Sequence, residues 1–318
     1  MKINQIGYVG LGRMGSNMVM NLLDQDFGVV AYDQNQKCKS QLEEERKEDV
    51  NTEKLQLHSS LDEVASALDS PKVIWMMVPA GKAVDEVITS LLPQLSPKDI
   101  LIDGGNSYFK DSMRRAQELK TSGIDYLDVG TSGGLKGARE GACLTIGGER
   151  EVYEQLEPMF KAVSAPQGYL YTGLSGTGHF VKMVHNFIEY GIEKCIAEGM
   201  NLVKSGGEKY WKQEFDLQRV TEVWNQGSII ESSLLGYLAQ ALANEKFGNN
   251  LELLSGKVGG GETGSWAVDA AMELGVAVTC NAAALFDRYS SRQQESFAGK
   301  CIAGMRNVFG GHEVEYNK

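Results

Sequence analysis

Short apolar runs alternate with stretches in which apolar residues recur every three or four positions, and this alternation organises the first half of the chain. Residues 3–9 (INQIGYV) form one such run. It enters GLGRMG at 10–15, after which Met18, Val19, Leu22 and Leu23 fall at helical spacing. That order predicts strand, tight turn, helix. Further runs at 29–32, 73–78, 100–103 and 126–129, separated by helical stretches, predict a parallel α/β sheet. Residues 144–146 and 168–171 predict two more strands around a helix at 151–161. From Ser175 the texture turns helical, through Lys204 and again at Leu217, Leu234, Ala267 and Ala282, with no strand pattern. The fold expected is an N-terminal Rossmann-type doubly wound sheet over 1–175, then an all-α domain over 176–318. The glycine cluster at 259–261 reads as a loop.

A chain of 318 residues is long enough for two cores. With 42% hydrophobic and 23% charged residues, general disorder is excluded. No apolar run reaches the ~18 residues of a membrane span, and no charged segment with a small-residue cleavage site opens the chain. The expected location is the cytoplasm. The five cysteines are scattered and form no CxxC pair, so reduced thiols are expected. A net charge of -11 without a dense Lys/Arg run argues against nucleic acid as partner. An anionic substrate would then need local basic residues.

The glycine turn carries the first chemistry. GLGRMG follows a predicted strand and opens a helix, and Asp33 stands 18 positions beyond its last glycine at the end of the second run. This is the dinucleotide pattern: Gly10 permits the turn, Gly12 admits the pyrophosphate, and Gly15 allows helix packing. Leu11, Arg13 and Met14 complete the loop, whose amides face the phosphates. Asp33 would accept hydrogen bonds from the ribose hydroxyls and repel a 2′-phosphate, and Gln34, Asn35 and Gln36 offer no arginine to reverse that preference. NAD is expected, with NADP less favoured. VPAG, with Val78, Pro79 and Ala80, suggests a second phosphate-side loop. The plainer alternative is that the glycines only turn the chain and Asp33 only caps it.

In GTGHFVKMVHNFIEYG (176–191), Lys182, His185, Asn186 and Glu189 stand at i, i+3, i+4 and i+7, on one helical stripe. Phe180, Val181, Met183, Val184, Phe187 and Ile188 surround it, so the stripe is expected to be buried. Burial disfavours both the charged amine and the ionised carboxyl, which suits Lys182 to take a proton and Glu189 to give one. The alternative is a solvated pair on an amphipathic helix.

GLGRMG, VPAG, DGGNS (103–107), SGGLKGAREG (132–141), GHFVKMVHNFIEYG and RNVFGGH (306–312) occur in the order found in 6-phosphogluconate dehydrogenases, and over nearly its whole length the chain resembles that family. GLGxMG and SGG also occur across the wider β-hydroxyacid dehydrogenase superfamily. The resemblance implies an oxidoreductase that oxidises and decarboxylates 6-phosphogluconate to ribulose 5-phosphate, in the pentose phosphate pathway and gluconate metabolism, without a metal. It makes Lys182 the base for oxidation at C3 and Glu189 the acid toward C1. Asn106, Ser132, Gly133, Gly134, His185 and Asn186 match positions that hold the substrate carboxylate and hydroxyls, Asn106 also flanking the cofactor. Tyr190, Arg288 and Arg306 match phosphate-binding positions. His312 matches a residue that reaches a neighbouring subunit's site, which implies a homodimer or homotetramer.

The chain departs from the long, NADP-using members in three ways. It is shorter, it has Asp33-Gln34 where they carry Asn-Arg, and GETGSW (261–266) aligns Gly261 with a phosphate-binding lysine of their KGTGKW loop. The first two match the short, NAD-preferring branch; the third bears on the phosphate, with Lys257 nearby. Two other readings differ by class. A non-decarboxylating β-hydroxyacid dehydrogenase or semialdehyde reductase would not need Glu189, Tyr190 or the terminal arginine and histidine, and a non-catalytic NAD-binding sensor would not need the Lys182 stripe.

Overall fold

The computed structural model describes residues 3–46, 52–293, 296–310 and 313. The chain divides into two compact units, Met1–Asn186 and Phe187–Lys318. The first begins as the glycine pattern requires, with β1 (Gln5–Val9), α1 (Arg13–Asp24), β2 (Gly28–Tyr32) and α2 (Gln36–Arg46). It continues through β3 (Leu55–Leu57), α3 (Leu61–Ser66), β4 (Val73–Met76), α4 (Lys82–Leu91), β5 (Ile100–Asp103) and α5 (Phe109–Lys120). It closes with β6 (Asp125–Ser132), α6 (Gly134–Glu140), β7 (Ala142–Gly148), α7 (Arg150–Val163) and β8 (Ser164–Gly173).

These strands form one sheet in the order β3-β2-β1-β4-β5-β6-β7-β8, parallel throughout except where β6 meets β7. All four residues of β4 and of β5 are buried, as strands covered on both faces must be. One face packs Met18, Leu22 and Leu23 of α1 and Leu156 and Phe160 of α7 around Trp75. The other packs Val64 of α3, Val84 and Ile88 of α4 and Leu119 of α5. Strand order reverses between β1 and β4, and that switch point opens a crevice at the carboxyl ends of the strands.

The sequence pattern misses two elements. β3 is three residues long, too short to show a period of two, and α6 is masked by the glycines of SGGLKG.

In the second unit the chain is helical, with α9 (Leu217–Trp224), α10 (Ser233–Leu242), α11 (Glu262–Leu274), α12 (Thr279–Ser290) and α13 (Phe297–Gly310) following α8 (Thr177–Gly206), a helix of 30 residues that crosses the division at 186/187. Asp216 and Ser232 accept amide hydrogen bonds at the starts of α9 and α10, and left-handed Gly275 ends α11. Among the described residues no strand follows β8. None of the helices described is long and apolar enough to cross a membrane.

Candidate active site

Gly10 ends β1 with φ +100 and donates its N–H to the Tyr32 carbonyl at 2.9 Å, tying the turn to β2. A Cβ there would run into the Met77 carbonyl oxygen, so the position admits only glycine. Gly12 faces open space, and no side chain caps α1, leaving its first amides turned outward. Arg13 is exposed, Met14 half-buried, and Leu11 and Gly15 are buried beneath the loop. Asp33 accepts the Leu11 N–H at 2.6 Å through one carboxylate oxygen and the Asn35 N–H at 2.6 Å through the other. The carboxylate therefore closes the glycine loop and faces the crevice beside it.

That crevice has a volume of about 360 Å³ and is lined by Gly10, Gly12, Asp33, Val78 and Pro79 among others. Its residues suit a dinucleotide: open loop amides for the pyrophosphate, a fixed carboxylate for ribose hydroxyls, and apolar Leu61 and Val87 for a base. Ala80 is exposed on the second loop, just before Gly81 starts α4, again without a side-chain cap.

Lys182 is seated by β6 and β7. Asp128, fully buried on β6, accepts the N–H of Gly176 at 2.6 Å and of His179 at 2.9 Å, fixing the start of α8. Burial raises the Asp128 pKa, against the opposing pull of His179 and those amides. Thr145 Oγ1 donates to the Gly178 carbonyl at 2.9 Å. A Cβ at Gly130 would strike the Lys182 Cβ, so bare backbone lets the helix settle onto the strand. Lys182 Nζ then donates to Asn186 Oδ1 at 2.7 Å and lies 3.5 Å from His185 Nδ1, while Asn186 Nδ2 donates to Asn106 Oδ1 at 3.1 Å. Four of the residues singled out from sequence thus meet at one place. Ser132, Gly133 and Gly134 end β6 and open α6. Asp128, Gly130 and Thr145, which hold this seat, escape a sequence reading because they sit inside strands; the bare glycine in DVGTS is the one signal there.

The expected burial of the helical stripe is corrected. Lys182 and Glu189 are half-buried, His185 is exposed, and Val181, Val184, Ile188 and Ile192 are exposed as well. The helix is apolar on more faces than its own chain covers.

In the second unit, the Arg288 guanidinium lies 4.0 Å from the centre of the Tyr190 ring, donates to Glu193 Oε2 at 2.6 Å and to the Gly259 carbonyl at 3.0 Å. Burial raises the pKa of both Tyr190 and Glu193, with Arg288 opposing it. Arg288 is thus not the loose surface arginine its sequence context allows. Thr263 of GETGSW is buried and its side chain bonds to Tyr190. Arg306 is exposed on α13. His312 lies outside the described residues. Among the described residues, no three His, Cys, Asp or Glu side chains converge as a metal site would need, and the five cysteines are free.

Two family models together span most of the chain: the NAD binding domain of 6-phosphogluconate dehydrogenase matches residues 5–177 and the 6-phosphogluconate dehydrogenase C-terminal domain matches 178–300. The NAD(+)-dependent, decarboxylating 6-phosphogluconate dehydrogenase of Haloferax volcanii is 38% identical over 98% of each chain. A Bacillus subtilis enzyme of the same description is 37% identical over 98% of this chain and 65% of its own longer one. The solved 6-phosphogluconate dehydrogenase of Plasmodium falciparum, described with NADP+ and with 6-phosphogluconate, superposes with a TM-score of 0.81 at 28% identity, over 99% of this chain and 67% of that one. With crevice, lysine seat and both family domains in one polypeptide, the chain belongs to the 6-phosphogluconate dehydrogenase family.

Proposed function

We propose that this protein oxidises 6-phosphogluconate at C3 and releases C1 as carbon dioxide, yielding ribulose 5-phosphate, with NAD as the preferred oxidant and NADP as a poorer one. The observation that carries the reading is the hydrogen-bonded series Lys182–Asn186–Asn106, set at the strand ends in the same unit as the glycine-turn crevice. NAD, held by residues 10–15, Asp33 and the loop of Val78, Pro79 and Ala80, supplies a hydride acceptor.

In this reading the chain's own groups handle protons and charge. The Lys182 amine takes the C3 hydroxyl proton as the alcohol becomes a ketone. Loss of carbon dioxide then sends an electron pair toward that carbonyl, and the lysine ammonium stabilises the developing enolate. Glu189, two turns along α8, delivers the proton to the carbon that has lost the carboxyl group, C2 of the acid, which becomes C1 of ribulose 5-phosphate. Asn106, Ser132, Gly133, Gly134, His185 and Asn186 orient the carboxylate and hydroxyls, and Tyr190, Arg288 and Arg306 take the phosphate. Glu193 supports this by fixing the Arg288 guanidinium in advance.

The same reading makes the protein a cytoplasmic homo-oligomer whose neighbouring copy supplies His312. A groove of about 980 Å³ in the second unit, lined by Ile192, Trp224, Ile229, Ile230 and Leu235, supports it, since apolar surface of this extent is costly to leave in water. The deciding experiment offers the purified protein 6-phosphogluconate with NAD or NADP and follows cofactor absorbance together with released carbon dioxide. Equal yields of NADH and carbon dioxide, faster with NAD, are expected. Activity confined to a small hydroxy acid, with no carbon dioxide, would move the protein to a non-decarboxylating branch.

A further inference from the structure

Arg115 of α5 is, after Trp75, the largest fully buried side chain among the described residues, with 1% of its side chain exposed, and no step above uses it. Burying a guanidinium is costly unless every donor finds a partner, and the partners here come from two segments, the start of α4 with the loop before it and the end of β5. Nε donates to Asp85 on α4 at 2.8 Å and Nη2 donates to the Gly81 carbonyl at 2.9 Å, which holds the end of the Val78–Gly81 loop. Nη1 lies 3.4 Å from Asp103 Oδ2 at the end of β5. Asp103 in turn governs the loop that follows it. It accepts from Ser107 Oγ at 2.8 Å, from Tyr126 OH at 3.0 Å and from the Gly105 N–H at 3.2 Å.

The two loops also touch. A Cβ at Gly105 would stand 2.9 Å from the Val78 carbonyl oxygen. Between Gly105 and Ser107 stands Asn106, which accepts from Asn186, which accepts from Lys182. An unbroken series of contacts therefore runs from Gly81 and Asp85 through Arg115 and Asp103 to the lysine amine, all within the first unit.

We infer that Arg115 is a positioning residue that couples occupancy of the cofactor loop to the placement of Asn106, Asn186 and Lys182. The inference rests on the functional reading above. When a dinucleotide settles the Val78–Gly81 loop, the guanidinium holds the Asp103–Ser107 loop in the arrangement that receives substrate. Cofactor and substrate then bind with positive coupling, and the coupling is reciprocal.

The test is calorimetric titration of 6-phosphogluconate into the whole protein with and without saturating NADH, for wild type and Arg115→Met. Wild type is expected to bind 6-phosphogluconate about tenfold tighter with NADH present, within the usual range of such coupling. In Arg115→Met that factor falls close to one while the affinity for each ligand alone changes little. A merely structural role would instead lower thermal stability and weaken both ligands alike, leaving the factor intact. Should Arg115→Met not fold, Arg115→Lys gives the same readout, because a single ammonium cannot reproduce the fork that reaches the Gly81 carbonyl, Asp85 and Asp103 together. Independent binding in wild type, or full coupling in the variants, overturns the inference alone. No binding of 6-phosphogluconate to wild type overturns the functional reading on which it stands.

Discussion

In the first unit the residues assigned to chemistry are backed by buried polar groups, Asp128 at the start of α8 and Asp103 with Arg115 between the loops, while half-buried Asp33 closes the glycine turn. In the second, Tyr190 and Arg288 also hold each other, but on helices whose Val223, Ile229, Ile230, Tyr237 and Phe286 remain exposed. The first unit gathers most of its apolar side chains around its sheet, though Leu170, Leu174 and Val181 stay exposed. The other leaves much of its apolar surface for something else to cover, which is how a unit looks when its burial is completed by association. Preorganisation in the first unit and exposed apolar surface in the second are separable properties, and mutation can separate them.

The largest effect is expected from Lys182→Ala. Turnover should fall by about 10²- to 10⁴-fold, the usual worth of a positioned base, while NADH titration still shows binding. A rate near that of wild type would remove the assigned base. Gly130→Ala comes next, because its methyl meets Thr145 Oγ1 at 2.6 Å and the Gly178 carbonyl at 2.9 Å as well as Lys182 itself. A lifted helix should cost about 10²-fold in kcat and about 1–3 kcal/mol of stability, read by steady-state rates and thermal unfolding; an unchanged kcat would mean that the seat does not set the lysine.

Ile229→Asp probes the other side of the comparison. It should weaken self-association by about 2 kcal/mol or more if Ile229 is a central contact, seen as a smaller species in sedimentation, with NADH binding by the first unit unaffected. Unaltered sedimentation would argue that the groove serves another purpose.

The smallest effect concerns pH. Burial raises the Asp128 pKa in the folded protein, so the folded state binds this proton more tightly than the unfolded chain. Its contribution to stability is fully present below the unfolded value near 3.9 and is lost as pH rises through the folded value. The thermal midpoint of wild type, taken relative to Asp128→Asn, should therefore decline from acid toward neutral pH. A difference that grows with pH would reverse the sign and break the account.

Much of this was legible in the sequence, and the boundary between what was and was not has physical causes. The apolar runs foretold the strands of the central sheet, and the loss of alternation after Ser175 foretold the helical second unit, because both depend on local period alone. The glycine turn with Asp33, and the helix bearing Lys182 and Asn186, are visible as patterns because their residues stand at fixed spacing. Asp128, Gly130, Arg115 and Asp103 are not, since their partners lie far along the chain and a buried charge carries no local mark. The expected burial of the lysine stripe failed for a related reason: Val181, Val184 and Ile188 show that a helix is apolar, without saying what covers it.

The two amides that Asp33 receives give the cofactor site a particular evolutionary stiffness. Its carboxylate holds the glycine loop and, on the proposed reading, would also discriminate at the ribose, so one side chain would serve both architecture and choice. A single substitution toward the phosphorylated dinucleotide would loosen the turn before it gained a new contact. A change of cofactor would therefore take paired substitutions, one restoring the loop and one supplying the cation.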